Sequence, residues 1–344
     1  MTMHVGSRMY RAKWLVCTAV MMGSLALTSC GTNPNPASNT GGPYGDGSQG
    51  DVDVTATTDL YALIPTLNFQ FHNFTVDAGV TLTVPSGTAL RCTGTFSNNG
   101  IITVLPGAAG GRAGGLADQT PGAGLSRAPA ENGLVTSNGD PAIGGRGGVG
   151  LELVEGPQLF IVGPFGGGGG GAGGVLGAGG DGGGALTVIA QGNLEVAGQI
   201  LADGGTPPSL NGGGGVGGAV ILASASLVSI PGTVSVRGAD GSDAFASGLG
   251  FRAGAGGGGG GGVVHLVSPN IATAGSIFGA GGKAGISQAV NEEELNAGGG
   301  GGGALGGSGG GGGGVGFADP NASPAQDGAV GRLIQTVADP TSLF

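Results

Sequence analysis

Apolar residues recur along this chain as pairs with one residue between them, and the pairs come in threes. Gly183–Gly205 holds Leu186/Val188, Leu194/Val196 and Ile200/Ala202. Gly217–Gly241 repeats the arrangement with Val220/Leu222, Val228/Ile230 and Val234/Val236. Gly261–Gly282 is one residue shorter before Ile271 and then runs Ile271, Thr273, Ile277. A glycine precedes the third pair each time: Gly198, Gly232 and Gly275. Leu82–Gly100 reads as an earlier copy, with Leu82/Val84, Leu90/Cys92, then Gly94, Phe96 and Gly100.

The in–out–in spacing is the two-residue period of a strand with one buried face. Three short strands separated by turns predict a coil of roughly 20 residues that buries its apolar face only by stacking on others. The expected fold is all-β: a short right-handed parallel β-helix, a solenoid with long glycine-rich loops. Residues 59–107 are expected to hold its first coils and 183–290 its clearest repeats. Leu67–Val104 is the densest strand region, and Val330–Val337 is expected to close the stack. The nearest approach to a helix, NEEELN at Asn291–Asn296, is too short to stand alone.

Composition sharpens this picture. Glycine supplies 87 of 344 residues, against the usual ~7%. Gly costs about 1 kcal/mol per helical position relative to Ala, which argues against a helical protein. The glycines gather at 108–182, an insertion interrupted by the apolar piece Leu151–Val162, and in 291–344. Uninterrupted runs occupy Gly166–Gly171, Gly256–Gly262, Gly298–Gly303 and Gly309–Gly314. Two readings of the runs stand open. One is flexible coil. The other is an ordered layer of extended three-per-turn helices bonded side by side through their backbones. A layer reached by ligands would present Gly256, Gly259, Gly262, Gly300 and Gly311 as an interaction surface.

The N-terminus has the form of an export signal: Arg8, Arg11 and Lys13, then the apolar Trp14–Leu27. It ends Leu27-Thr28-Ser29-Cys30. That ending resembles the lipobox of bacterial lipoproteins, whose Cys is acylated and becomes the mature N-terminus. The resemblance implies a signal over 1–29, lipid on Cys30 and a membrane anchor. With Gly31 rather than Asp next, it further implies an outer-membrane lipoprotein facing the periplasm or the cell surface. Residues 30–58, rich in Gly, Pro, Asn and Ser, would form the tether. Loss of 1–29 removes three basic residues and no acidic one, taking the net charge from −10 to −13, a balance that repels nucleic acid. Cys92 would then be the last thiol, with no disulfide framework. It aligns with Val196 and Val228, so it is expected inside.

Asn73–Val104, NFTVDAGVTLTVPSGTALRCTGTFSNNGIITV, together with the repeats and glycine runs, resembles glycine-rich bacterial surface proteins and phage tail-tip adhesins. The resemblance implies architecture, and polyglycine II packing of the loops. It supplies no catalytic motif.

Little else could carry chemistry. After the signal the chain holds His72, His265 and one lysine, Lys283. His265 falls one step off Val264 and Leu266 and is expected to point into solvent. There is no HExxH or CxxC, and no glycine run ends as a P-loop does. Asp203 and Asp240, beside Arg237, fall at comparable points of adjacent copies, the one arrangement suited to a polysaccharide lyase or glycoside hydrolase. Gly238–Ala246, GADGSDAFA, follows the calcium nonapeptide except at its second glycine, making Asp240 and Asp243 weak candidates for Ca²⁺. No other cofactor is implied. An ice-binding face would need a ladder of outward hydroxyls, and Thr187, Ser229 and Thr273 do not align as one. The expectation is therefore a non-catalytic, lipid-anchored surface solenoid. It would present a glycine-rich face for adhesion to surface glycans or matrix, or for envelope structure.

Overall fold

The computed structural model describes residues 42–111, 135–136, 170, 178–244, 251–286, 294–296, 301, 309–310, 312 and 324–343. The signal segment, Cys30, Leu151–Val162, Gly300 and Gly311 lie outside them.

The pairs do form strands, and the chain visits three sheets in a fixed rotation. The first circuit is β1 (Val52–Val54), β2 (Thr58–Asp59) and β3 (Gln70–Phe71). The second is β4 (Phe74–Val76), β5 (Thr81–Val84) and β6 (Thr88–Cys92). The third is β7 (Phe96–Asn98) and β8 (Ile101–Val104), then, after β9 (Val135–Thr136), β10 (Ala185–Ala190). The fourth is β11 (Leu194–Val196), β12 (Gln199–Leu201) and β13 (Ala219–Ser224). The fifth is β14 (Val228–Ser229) and β15 (Thr233–Ser235), then, after β16 (Phe251–Ala253), β17 (Val263–Val267). The sixth is β18 (Ile271–Ala272) and β19 (Ser276–Phe278), then, after β20 (Glu294–Asn296), β21 (Arg332–Thr336).

Each position in the circuit builds one six-stranded sheet. The orders are β1-β4-β7-β11-β14-β18, β2-β5-β8-β12-β15-β19 and β3-β6-β10-β13-β17-β21. Every pairing within these three sheets is parallel. β9, β16 and β20 form a separate small sheet. Glu294–Asn296, inside the helix-like stretch, is thus a strand.

One core draws on the inward rows of all three sheets: Leu186, Val188, Leu194, Val196, Ile200, Val220, Val228 and Val234 are all 0% exposed. The last repeat departs from the expectation. Ile271 and Ile277 are only half-buried and Thr273 is exposed, because β18 and β19 are the final strands of their sheets. At the other end a single helical turn, α1 (Leu60–Leu63), lays the fully buried Leu60 on the core. The Asp59 carboxylate caps α1, accepting from Ala62 N at 2.8 Å.

Three expectations need correction. The first is the register of the earliest copy. Leu90 lies opposite Val188, and Cys92 opposite Ala190 and Phe71 rather than beside Val196. Leu82 and Val84 pair instead with Ile102 and Val104. All three sheets share the two-residue period, so apolar spacing alone cannot say which strand of a circuit is which. The marker is the close-packed glycine. Gly198 N donates to Asn98 O at 2.8 Å, and a Cβ at Gly198 would strike the Gly100 carbonyl. Gly232 stands likewise on Gly198, and Gly275 on Gly232. Gly100, not Gly94, therefore begins this series. Cys92 is still 0% exposed, and burial pushes its thiol up to about 12.

The second correction concerns the tether over 30–58. Within it, Val52–Val54 already pairs with β4, and Tyr44 is 6% exposed. Tyr44 packs with Ile189, Ala223, Val267 and Leu343, and its hydroxyl donates to Asp339 Oδ1 at 3.1 Å.

The third is His265. It does sit on the outward row, opposite Ile221, but it is 0% exposed and its Nε2 lies 2.9 Å from Thr336 Oγ1. β10, β13 and β17 are buried on both faces. Their continuous apolar runs, ALTVIA, AVILAS and VVHLV, are the signature of such strands.

Two consequences can be measured. Val234→Asp places a charge in the common core and should cost several kcal/mol, seen as a large fall in melting temperature. Thr273→Asp at an exposed position should change it little. Burial of His265 pushes its imidazole down to about 4 from 6.5, so the unfolded chain takes up the proton first. The stability this neutral His contributes is full above pH 6.5 and is lost as pH falls toward 4. Chemical denaturation across that window should show an acid limb, at most about 1.4 kcal/mol per pH unit, that His265→Val lacks.

Candidate functional site: the glycine layer and its aspartates

The glycine segments continue the sheets. Residues 178–184, 212–218, 254–262 and 324–331 lead into β10, β13, β17 and β21. Residues 202–205, 236–243 and 279–286 leave β12, β15 and β19. Their glycines carry no side chain to pair with, so most of their buried peptide groups are satisfied by neighbouring backbones.

They do so with a three-residue step. Gly214 N and Gly217 N donate to Gly257 O and Gly260 O, each at 2.9 Å. On another side, Gly256, Gly259 and Gly262 N donate to Ser242, Ala239 and Val236 O at 2.9, 2.9 and 2.7 Å. On a third, Gly258 and Gly261 N donate to Gln326 and Ala329 O at 3.0 and 2.8 Å. Gly282 N and Gly285 N return bonds to Gly259 O and Gly256 O at 2.7 and 3.0 Å. Successive residues of one run thus face different neighbours, whereas a strand ladder alternates between two.

This explains why glycine stands at five of the seven positions of the run Gly256–Gly262. A Cβ at Gly256, Gly259 or Gly262 would collide with the carbonyl of Gly212, Gly215 or Gly218. A Cβ at Gly258 or Gly261 would collide with that of Gly282 or Gly279. None of these five has a left-handed backbone, so close approach on all sides excludes a side chain. Gly256, Gly259 and Gly262 are also buried, which corrects the expectation that they form an interaction surface. They are the inside of the layer. Its accessible part is the outer rim, where Ile286 is 69% and Val330 73% exposed.

The aspartates singled out for chemistry stitch this rim. Asp203 Oδ1 accepts from Arg237 N and from Ser235 Oγ, both at 2.6 Å. Asp240 Oδ1 accepts from Lys283 N at 2.6 Å and Asp243 Oδ1 from Ile286 N at 2.7 Å. Two residues that sequence reasoning missed do the same: Asp327 Oδ1 accepts from Ala284 N at 2.7 Å and Asp181 Oδ1 from Gly110 N at 2.8 Å. Their signal was available, since each stands in or beside a glycine segment. Each gives a neighbouring amide a charge-assisted acceptor. Arg237 lies with its guanidinium 4.1 Å above the Phe278 ring. Among the described residues no group of three or more His, Cys, Asp or Glu is placed to hold a metal. His72 stands elsewhere, its Nδ1 2.8 Å from Asp51 Oδ1, both exposed.

Thr187, Ser229 and Thr273 fall on no common row: Thr187 is buried in β10, Ser229 lies in β14, and Thr273 follows β18. An outward polar row does run along the sheet that begins with β1, where Asp53, Thr75, Ser97, Glu195 and Ser229 lie opposite one another in turn. Only the strand register reveals it. No family model, no curated protein and no solved structure matches this chain.

The layer generates a direct test. Gly259→Val should wedge neighbouring backbones apart and melt the layer while leaving the Val and Leu core folded. Hydrogen exchange should show slow amides across Gly256–Gly262 in the parent and fast ones in the variant, with Val220–Leu222 protected in both. Fast exchange across the run in the parent would mean flexible coil.

Proposed function

We propose that this protein is a lipid-anchored, non-catalytic structural module of the bacterial envelope, used for adhesion to glycans or matrix or for envelope architecture. In this reading the circuits wind as a right-handed parallel β-helix. The glycine segments form a polyglycine II slab fused to its side, and Cys30 carries the lipid. One observation carries the proposal: the three-residue hydrogen-bond step of Gly256–Gly262, with neighbours on several sides. Such a lattice spends glycine to make a stiff body, as an envelope module requires and a catalytic cleft does not. The engagement of Asp203, Asp240 and Asp243 with backbone amides supports the same reading. The surface offered to a ligand is then the rim and the outward polar rows, not the glycine interior.

Two experiments test it. Cys30→Ala should abolish incorporation of labelled palmitate, and undiminished labelling would remove the anchor. On a glycan and matrix array, the purified protein should bind at least one polymer without releasing soluble sugar. Release of reducing ends or unsaturated sugars would make it an enzyme instead.

A further inference from the structure

We propose that the end of the core formed by β18, β19 and β21 is an interface that joins two copies of this chain across a two-fold axis. The inference does not depend on the lipid or on adhesion. In the fifth circuit the inward residues Val228, Val234 and Val264 are 0% exposed. Their counterparts in the sixth circuit are Ile271, Ile277 and Leu333. Ile271 and Ile277 are half-buried, and Leu333 is 49% exposed although it stands on the inward row. The core column is therefore cut open at this end.

The backbone is open there too. Among the described residues, β18, β19 and β21 each have a partner on one side only. Among the described residues, three strand edges with outward-facing donors and acceptors thus lie at one end of the stack. Proteins usually blunt such edges with charge, proline or a covering element. β18 and β19 contain no charged residue and no proline, and Arg332 is the single charged residue in β21.

The occupant follows from charge and from the opposite end. The chain has net charge −10, yet residues 271–278 and 330–337 contain no Asp or Glu. Two copies can meet at this end without the repulsion that acidic surfaces elsewhere would impose. The other end has edges as well, but there α1 places Leu60 on the core. Stacking that end on the open one would have to displace a buried turn, so head-to-tail growth is disfavoured and an isologous pair closes. A two-fold axis sets the facing edge strands antiparallel, a pairing at least as stable as the parallel one inside the sheets.

Sedimentation of the full chain in a non-ionic detergent, with Leu333→Lys compared side by side, tests the proposal. The parent should form a discrete dimer. Leu333→Lys should weaken it by at least about tenfold while keeping the monomer's melting temperature. Should that variant fail to fold, hydrogen exchange on the parent decides. Amides of Ile271–Ala272 and Ser276–Phe278 should gain protection as concentration rises, and those of Val52–Val54 should not. A monomer at every concentration, an open-ended polymer, or a dimer protected elsewhere would each overturn the inference.

Discussion

The structure depends on the need to give every buried peptide group a partner where no side chain can stand. Gly256–Gly262 is buried throughout. Its amides and carbonyls are answered by 212–217, 236–242, 279–285 and 326–329. A strand meets this requirement with two neighbours, leaving its two faces for side chains. The glycine run meets it with neighbours on more sides and gives up its side chains to do so. The Val, Leu and Ile column and the glycine layer are two solutions to one constraint. They join without a break, because the segments of the layer run straight into β10, β13, β17 and β21.

The same constraint assigns roles to the few charged residues. Where the layer meets solvent its outermost amides lose their carbonyl partners, and Asp181, Asp203, Asp240, Asp243 and Asp327 supply them. The acidic balance of the chain is in part the hydrogen-bonding needs of the rim. A net charge of −10 also makes acidic surfaces of two copies repel one another. The acid-free end at β18, β19 and β21 is notable against that background.

The sheet β3-β6-β10-β13-β17-β21 shows how an ordinary strand pattern becomes something else in context. Ile189, Ala223 and Val267 stand on its outward row and pack with Tyr44 and Leu343. Residues near the two ends of the described body thereby cover one face, and Tyr44 and Asp339 hold hands across it. His265 lies on the same face, in the neighbouring row with Thr187 and Ile221, and is desolvated.

Much was legible from residues alone. The two-residue period of Leu194/Val196 and its successors encodes strands with a common inward row, because burial on one face demands that spacing, and the recurrence of the pairs in threes encodes the repeated circuit. Gly198, Gly232 and Gly275 marked the stacking axis, because only glycine lets one corner sit on the next. What residues alone could not decide was which strand stacks on which in the earliest copy, since one period serves all three sheets. Nor could they tell that Gly256, Gly259 and Gly262 lie inside and that His265 is covered. A run of glycine has no periodicity to say whether it is coil or layer, and exposure depends on neighbours distant in sequence. Those answers came only from the tertiary structure, which brings carbonyls of residues 212–218, 236–242, 279–285 and 326–329 around a single run and leaves no room for a side chain.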